Sequence, residues 1–318
     1  MRARSMLFTL FGDYVRHYGG TIWIGSLITL MAELGFHASA VRAAVSRMTR
    51  QGWLVAIRAG RASYYALTPR GDARIEEAAR RIFKLRPERW DGLWRIVVVP
   101  APGEGAGRRD RAALRRELGW MGLVPLARGV YVTPNNLLDQ VPALAERYGL
   151  RAAGETFEAR LTGPAAPAAF AARHWDLPVI DAAYAGFVAE WRPRLLDWRA
   201  AAARSGGALE IPAGAAFREK THLVHAFRKF LFVDPGLPAE VLPERWTGVE
   251  ARGVFSAAYH LLAEPALAFF EAQYRPAPAH EGDVPEGRRA ARRDPFRPDA
   301  READLPHLAN GPARSPSG

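Results

Sequence analysis

The chain has 318 residues and no cysteine, with 49% hydrophobic and 24% charged residues and a formal net charge of +11. That length predicts two or three domains, and that balance a folded protein rather than a disordered one. The missing cysteines exclude disulfides, thiolate metal sites and thiol nucleophiles. Met1-Arg2-Ala3-Arg4 leads into a stretch broken by Gly12, Asp13 and Arg16, unlike a signal peptide, and no 18 consecutive apolar residues occur. The expectation is a soluble cytoplasmic protein without a membrane partner.

In chain order, Leu7, Leu10, Phe11, Tyr14, Val15 and Tyr18 recur at helical spacing from Ser5 and end at Gly19-Gly20, a first helix. Trp23 to Leu34 is a second, with Ile24, Leu27, Ile28, Met31 and Leu34 on one stripe and Gly35 closing it. Ala38 to Arg50 is a third, with Ser39 as the expected N-cap and Val41, Val45 and Met48 facing inward. Its outward face carries Ser39, Arg42, Ala43, Ser46, Arg47 and Arg50. Small side chains there let a backbone approach a surface while arginines reach bases or phosphates, a face suited to a DNA major groove.

Gly52-Trp53 ends that helix, and Leu54–Arg58 and Ala62–Leu67 read as a β-hairpin whose tip bears Arg58 and Arg61. Thr68-Pro69 opens a fourth helix running to about Lys84. Three helices followed by a basic-tipped hairpin make a winged helix-turn-helix over residues 1–86. The charge agrees: this segment holds fourteen Arg and Lys against five Asp and Glu, a balance of +9, which leaves +2 for all the rest. The tail looks basic at Arg288-Arg289 and Arg292-Arg293, yet Glu281 to Gly318 has seven Arg and seven acids. Residues 278–318 are expected to be a disordered polyampholyte.

Beyond a boundary near Leu85–Arg89, strands at Trp94–Val99, Leu123–Leu126, Val130–Thr133 and Thr156–Leu161 alternate with helices at Arg108–Leu118 and Leu138–Tyr148. The order βαββαβ predicts a ferredoxin-like unit over 87–163, a unit that often pairs with its twin. From Phe170 the chain reads as mainly helical to about 277, with Tyr184, Phe187, Val188, Trp191, Leu195 and Trp198 on one aromatic stripe. The fold class is α+β multidomain.

Several stretches in series, SMLFTLFGDYVRHYGG, WIGSLITLMAELG, VRAAVSRMTRQGWL and GRASYYALTPRG, resemble the N-terminal domain of the PaaX-type repressors of phenylacetate degradation. WDGLWRIVVV and RGVYVTPN resemble that family's central domain, and HLVHAFRKFLFVDPGLPAEVLPERWTGVEAR its C-terminal region, so the likeness covers about residues 5–275. The resemblance implies a homodimeric repressor that leaves its operator DNA on binding phenylacetyl-coenzyme A or another acyl-coenzyme A, with no cofactor and no catalysis. An acyl-coenzyme A sensor needs an apolar slot and cations for phosphates. Arg218, Lys220, His225, Arg228 and Lys229 are the candidates for the cations.

The central unit is also similar to the nuclease subunit of CRISPR adaptation complexes, which ends its first strand on a metal-binding Asp. Here that strand ends Val98-Val99-Pro100, without a carboxylate. A metal-dependent nuclease is thus a disfavoured alternative, as is an acyl-coenzyme A thioesterase or hydrolase, because no G-x-S-x-G or HExxH motif occurs. His222-x-x-His225 could present two metal ligands on one helical face, with Glu219 or His260 as a third, but the expectation is no metal.

Overall fold

The computed structural model describes residues 2–83, 89–99, 108–136, 155–278 and 295–296. Helix α1 (Ala3–Asp13) is followed by a 3-10 turn at Val15–His17, strand β1 (Thr21–Trp23), α2 (Ile24–Glu33) and α3 (Ala38–Arg50). Strands β2 (Leu54–Ala59) and β3 (Ala62–Leu67) form the hairpin, and α4 (Pro69–Phe83) leaves it. All strands pair antiparallel in the order β1-β3-β2, with Ile22 opposite Tyr65 and Arg58 opposite Ser63.

Three details differ from the sequence expectation. The first helix stops at Asp13 rather than Tyr18, and the residues before the second helix form β1. A three-residue strand is too short to show a period of two; only its pairing with β3 defines it. Ser39 is also not the N-cap of α3: the helix begins at Ala38 after His37, with no side-chain cap. Two turns explain where helices end. Gly35 (φ +82°) and Gly52 (φ +71°) take the left-handed conformation, and the next amides reach back, Phe36 to Met31 O and Trp53 to Met48 O, both at 2.9 Å.

The central unit comprises β4 (Trp94–Val98), α5 (Arg108–Trp120), β5 (Val124–Ala127), β6 (Val130–Thr133) and β7 (Glu155–Ala159). The sheet order β5-β6-β4-β7, antiparallel throughout, is the ferredoxin-like arrangement. The expected helix at Leu138–Tyr148 lies outside the described residues, as does nearly all of the 278–318 tail. Val97 packs under α5 with Leu114, Leu118 and Leu123, whereas Trp94 and Val132 join the core of the C-terminal helices.

Those helices are α6 (Pro167–His174), α7 (Leu177–Arg204), α8 (Ala213–Phe227) and α9 (Thr247–Gln273), with a 3-10 segment at Arg228–Phe232. Of these, α8 and α9 each run through two cores. Phe227, Phe255 and Tyr259 sit in the C-terminal core with the α7 stripe. Ala216, Phe217, Leu262, Ala266 and Phe270 instead complete the core of the winged helix beside Leu10, Phe11, Tyr14 and Met48. This double duty explains the apolar composition of α9, which reaches a mean hydropathy of 1.2 over 18 residues. It is a helix with both ends packed against protein.

At the centre of this seam Lys220 of α8, fully buried, donates to Asp13 Oδ2 at 2.5 Å, and Tyr259 OH donates to Asp13 Oδ1 at 2.7 Å. The ammonium lies 4.4 Å from the Tyr14 ring centre and 4.0 Å from that of Tyr259. Breaking a buried pair by removing one partner strands the other charge in a low dielectric. Asp13→Asn is therefore expected to destabilise the chain by about 3–5 kcal/mol, and the double replacement Asp13→Leu with Lys220→Met by far less. Urea unfolding of both variants checks this; equal losses in the two would show that the charge is not what is being stranded.

Candidate nucleic-acid interface

Helix α3 buries Val41, Ala44, Val45 and Met48, which turns the six predicted contact residues outward: Ser39, Arg42, Ala43, Ser46, Arg47 and Arg50 are all exposed. Arg58 and Arg61 are exposed on the wing. The wing turn is tight because Gly60, at φ +58°, occupies the position that a two-residue hairpin loop needs with positive φ. One helix face and one hairpin tip thus present five arginines.

The acids explain why this face is so uniformly positive. Asp13 is held by Lys220 and Tyr259, and Glu33 accepts from Arg218 at 2.7 Å. Glu76 pairs with Arg16 and Arg80, and Glu77 with Arg74 and Trp120 Nε1. Asp72 raises the pKa of Arg16, against the larger opposing effect of burial. None of the five carboxylates of the N-terminal segment lies on α3 or the wing: Asp13 and Glu33 meet the C-terminal helices, and Asp72, Glu76 and Glu77 are on α4. Among the described residues, none forms an ion pair with Arg42, Arg47, Arg50, Arg58 or Arg61. Unneutralised arginines on a protruding surface are free to displace counterions from a phosphate backbone.

Further basic residues border this surface and were not singled out from sequence. Arg4 at the start of α1 donates to Gln51 just after α3 at 3.1 Å, and Arg70 sits 4.7 Å over the Trp53 ring. Their place beside α3 depends on how α1 and α4 cross it, and no spacing along the chain encodes that.

Four of the five cationic candidates for a ligand site lie in the seam with the winged helix. Arg218 pairs with Glu33 and Lys220 with Asp13. Arg228 Nη1 donates to Ser5 O at 2.8 Å and to Ser5 Oγ at 3.1 Å, and His225 Nδ1 is 3.0 Å from Thr9 Oγ1. Lys229 alone is exposed. Arg218, Lys220, His225 and Arg228 thus grip α1 and α2. Among the described residues no three His, Asp or Glu side chains gather as a metal set, and His222 and His225 are no exception.

The geometry defines a winged-helix protein whose DNA-facing domain shares its core with a helical domain, across from a ferredoxin-like unit. The comparisons with known proteins agree. Residues 2–71 match the PaaX-like protein family, 87–171 the PaaX protein central Cas2-like domain, and 175–272 the PaaX-like protein C-terminal domain. The chain is 33% identical over 268 residues to the transcriptional repressor PaaX of Escherichia coli strain K12, spanning 83% of this chain and 82% of that one. An uncharacterized protein of Mycobacterium tuberculosis, Rv0674, is 28% identical with a TM-score of 0.51, over 86% of this chain and 98% of that one. The chain belongs to the PaaX-like family of transcriptional repressors.

Burial pushes the pKa of His225 down to about 4, with Arg228 and then Lys229 adding to the effect. The unfolded chain takes up a proton near the ordinary histidine value of 6.5 and the folded chain only near 4, so the folded state loses stability as pH falls through that window. Between pH 7 and pH 5 the loss from this residue is on the order of 2 kcal/mol. Urea midpoints at the two pH values should converge in His225→Gln relative to the parent chain; an unchanged pH slope would remove His225 as its source.

Proposed function

We propose that the chain is a DNA-binding repressor of an aromatic-acid catabolic operon, acting as a homodimer and released from its operator by phenylacetyl-coenzyme A or a related acyl-coenzyme A. The single observation that carries DNA binding is the exposed, acid-free face of α3, with Arg42, Arg47 and Arg50 beside small residues. Ser39, Ala43 and Ser46 let the helix backbone enter a major groove, and Arg58 and Arg61 extend the contact along the phosphates. The E. coli relative is named as a transcriptional repressor, which supports the sign of regulation.

Support for the homodimer comes from the central sheet. Its outermost strands are β5 and β7, and they expose Leu126 and Phe157 at 41% and 47%. An unpaired strand edge with apolar side chains is a template for a second sheet. The two α3 helices would then be carried at a fixed separation, as two half-sites in an operator require.

Gel shifts on the protein's own upstream region test the reading. Arg42→Ala and Arg47→Ala should each weaken specific binding by about 1–3 kcal/mol and relax discrimination at one base pair, if they reach guanine edges. Arg61→Ala should weaken all sequences alike and flatten the salt dependence by roughly one phosphate. Operator affinity unchanged in all three variants would sink the assignment of this surface, and an operator complex indifferent to acyl-coenzyme A thioesters would sink the proposed effector.

A further inference from the structure

A half-open cleft of about 150 Å³ lies between the central unit and the C-terminal part of the chain. One wall is the end of α5 and the start of β5, with Gly119, Leu123 and Val124; the other is Trp175 and the segment from Leu231 to Pro235. Phe232 on that second wall is 66% exposed, although its ring lies 5.3 Å from that of Trp120. Leu123, Val124, Trp175 and Leu231 put apolar side chains on both walls, and a space of this size has room for about one benzene-sized ring. Gly119 lines the cleft, and a Cβ built there meets no atom within 4 Å, so a larger side chain has room at this position.

The two walls are tied together by the winged helix itself. Arg81 of α4 donates through Nη1 to Trp120 O and through Nη2 to Asp234 O, each at 2.7 Å. A guanidinium is a rigid planar fork, so both bonds persist only at one separation of the two carbonyls. A second tie, Asn135 Nδ2 to Pro235 O at 2.9 Å, closes the far end. From Arg81 the path to the DNA face is short. Helix α4 begins directly after β3 of the wing, and Thr68 at its start donates from Oγ1 to Gly52 O at 2.7 Å and from N to Trp53 O at 3.1 Å, just beyond α3.

We infer that this cleft receives the acyl or aryl group of the effector, and that Arg81 is the positioning residue that reports its occupancy to α4, the wing and α3. The inference rests on the proposed reading of the chain as a thioester-released repressor. A ring lodged between the walls moves Trp120 O and Asp234 O apart, and Arg81 cannot follow both. Helix α4 then shifts with whichever wall it keeps, and the hairpin and the end of α3 shift with it. The bulk of a coenzyme A thioester exceeds the cleft and lies outside its open half, so the cleft reads only the acyl end.

The test measures phenylacetyl-coenzyme A binding by calorimetry and operator release by gel shift in the full chain and three variants. Gly119→Phe, which adds a ring at the cleft lining, and Phe232→Ala, which removes an exposed wall, should each bind phenylacetyl-coenzyme A at least about tenfold more weakly. Both should still bind operator and resist release. Arg81→Met should bind the thioester within about threefold of the parent chain yet need far more of it for release, a split that a merely structural role would not give. Phe232→Ala leaves the core untouched, so the question stays answerable if Gly119→Phe does not fold. Release of Gly119→Phe and Phe232→Ala at the parent's thioester concentration would overturn the location while leaving the effector reading intact. A parent chain that phenylacetyl-coenzyme A neither binds nor releases would overturn both.

Discussion

The buried contact of Lys220 with Asp13 is the constraint on which the rest of the structure depends. Asp13 closes α1, the first helix of the winged domain, and Lys220 lies halfway along α8, more than two hundred residues later, yet the two meet with both side chains fully enclosed. A lone ammonium or carboxylate would be driven out of such a site by its desolvation cost. Each therefore requires the other, and this pair fixes the register between α1 and α8. Arg218 on Glu33, Arg228 on Ser5 and His225 on Thr9 then follow along the same line. The winged helix is consequently not a bead on a string: its own apolar core is finished by Phe217, Leu262 and Phe270.

Two consequences for function flow from that seam. The first is electrostatic. Acids that would otherwise neutralise the N-terminal segment are drawn to its back, where Lys220, Arg218, Arg16 and Arg74 hold them. The net charge of the segment is thereby concentrated on α3 and the wing. The second is mechanical. A helix pair that belongs to two cores at once cannot rearrange in one without disturbing the other, because packed interiors are bistable rather than continuously deformable. Arg81 adds a second link through α4, this time to the central domain and the segment after α8. The winged helix is thus joined to the packing of the remaining chain by two routes.

Much of this was legible in the sequence, for reasons that are local. The face of α3 follows from a period of 3.6 residues with Val41, Val45 and Met48 on one side, and the wing follows from two strand-forming runs joined through Gly60. Strand β1 was not legible, since three residues carry no period and only Ala66, Tyr65 and Tyr64 across the sheet define it. Nor were the roles of Arg218, Lys220, His225 and Arg228. Their spacing on α8 announces cations on a helix, but whether a cation meets a phosphate or a carboxylate depends on which element lies opposite. Here α1 and α2 lie opposite, bringing Asp13, Glu33 and Thr9. The Arg81 clasp is hidden for the same reason, because both its acceptors are backbone carbonyls and no residue type marks them.

The central claim is that α3 lies in the major groove of the operator, and the absence of cysteine allows it to be tested directly. A single cysteine introduced by Ser46→Cys, on the exposed face of α3, can carry a DNA-cleaving iron chelate. Cleavage confined to the bound site, with the strand offset of a probe in the major groove, is the predicted result. Tight binding of the labelled protein with no cleavage near α3 would contradict it.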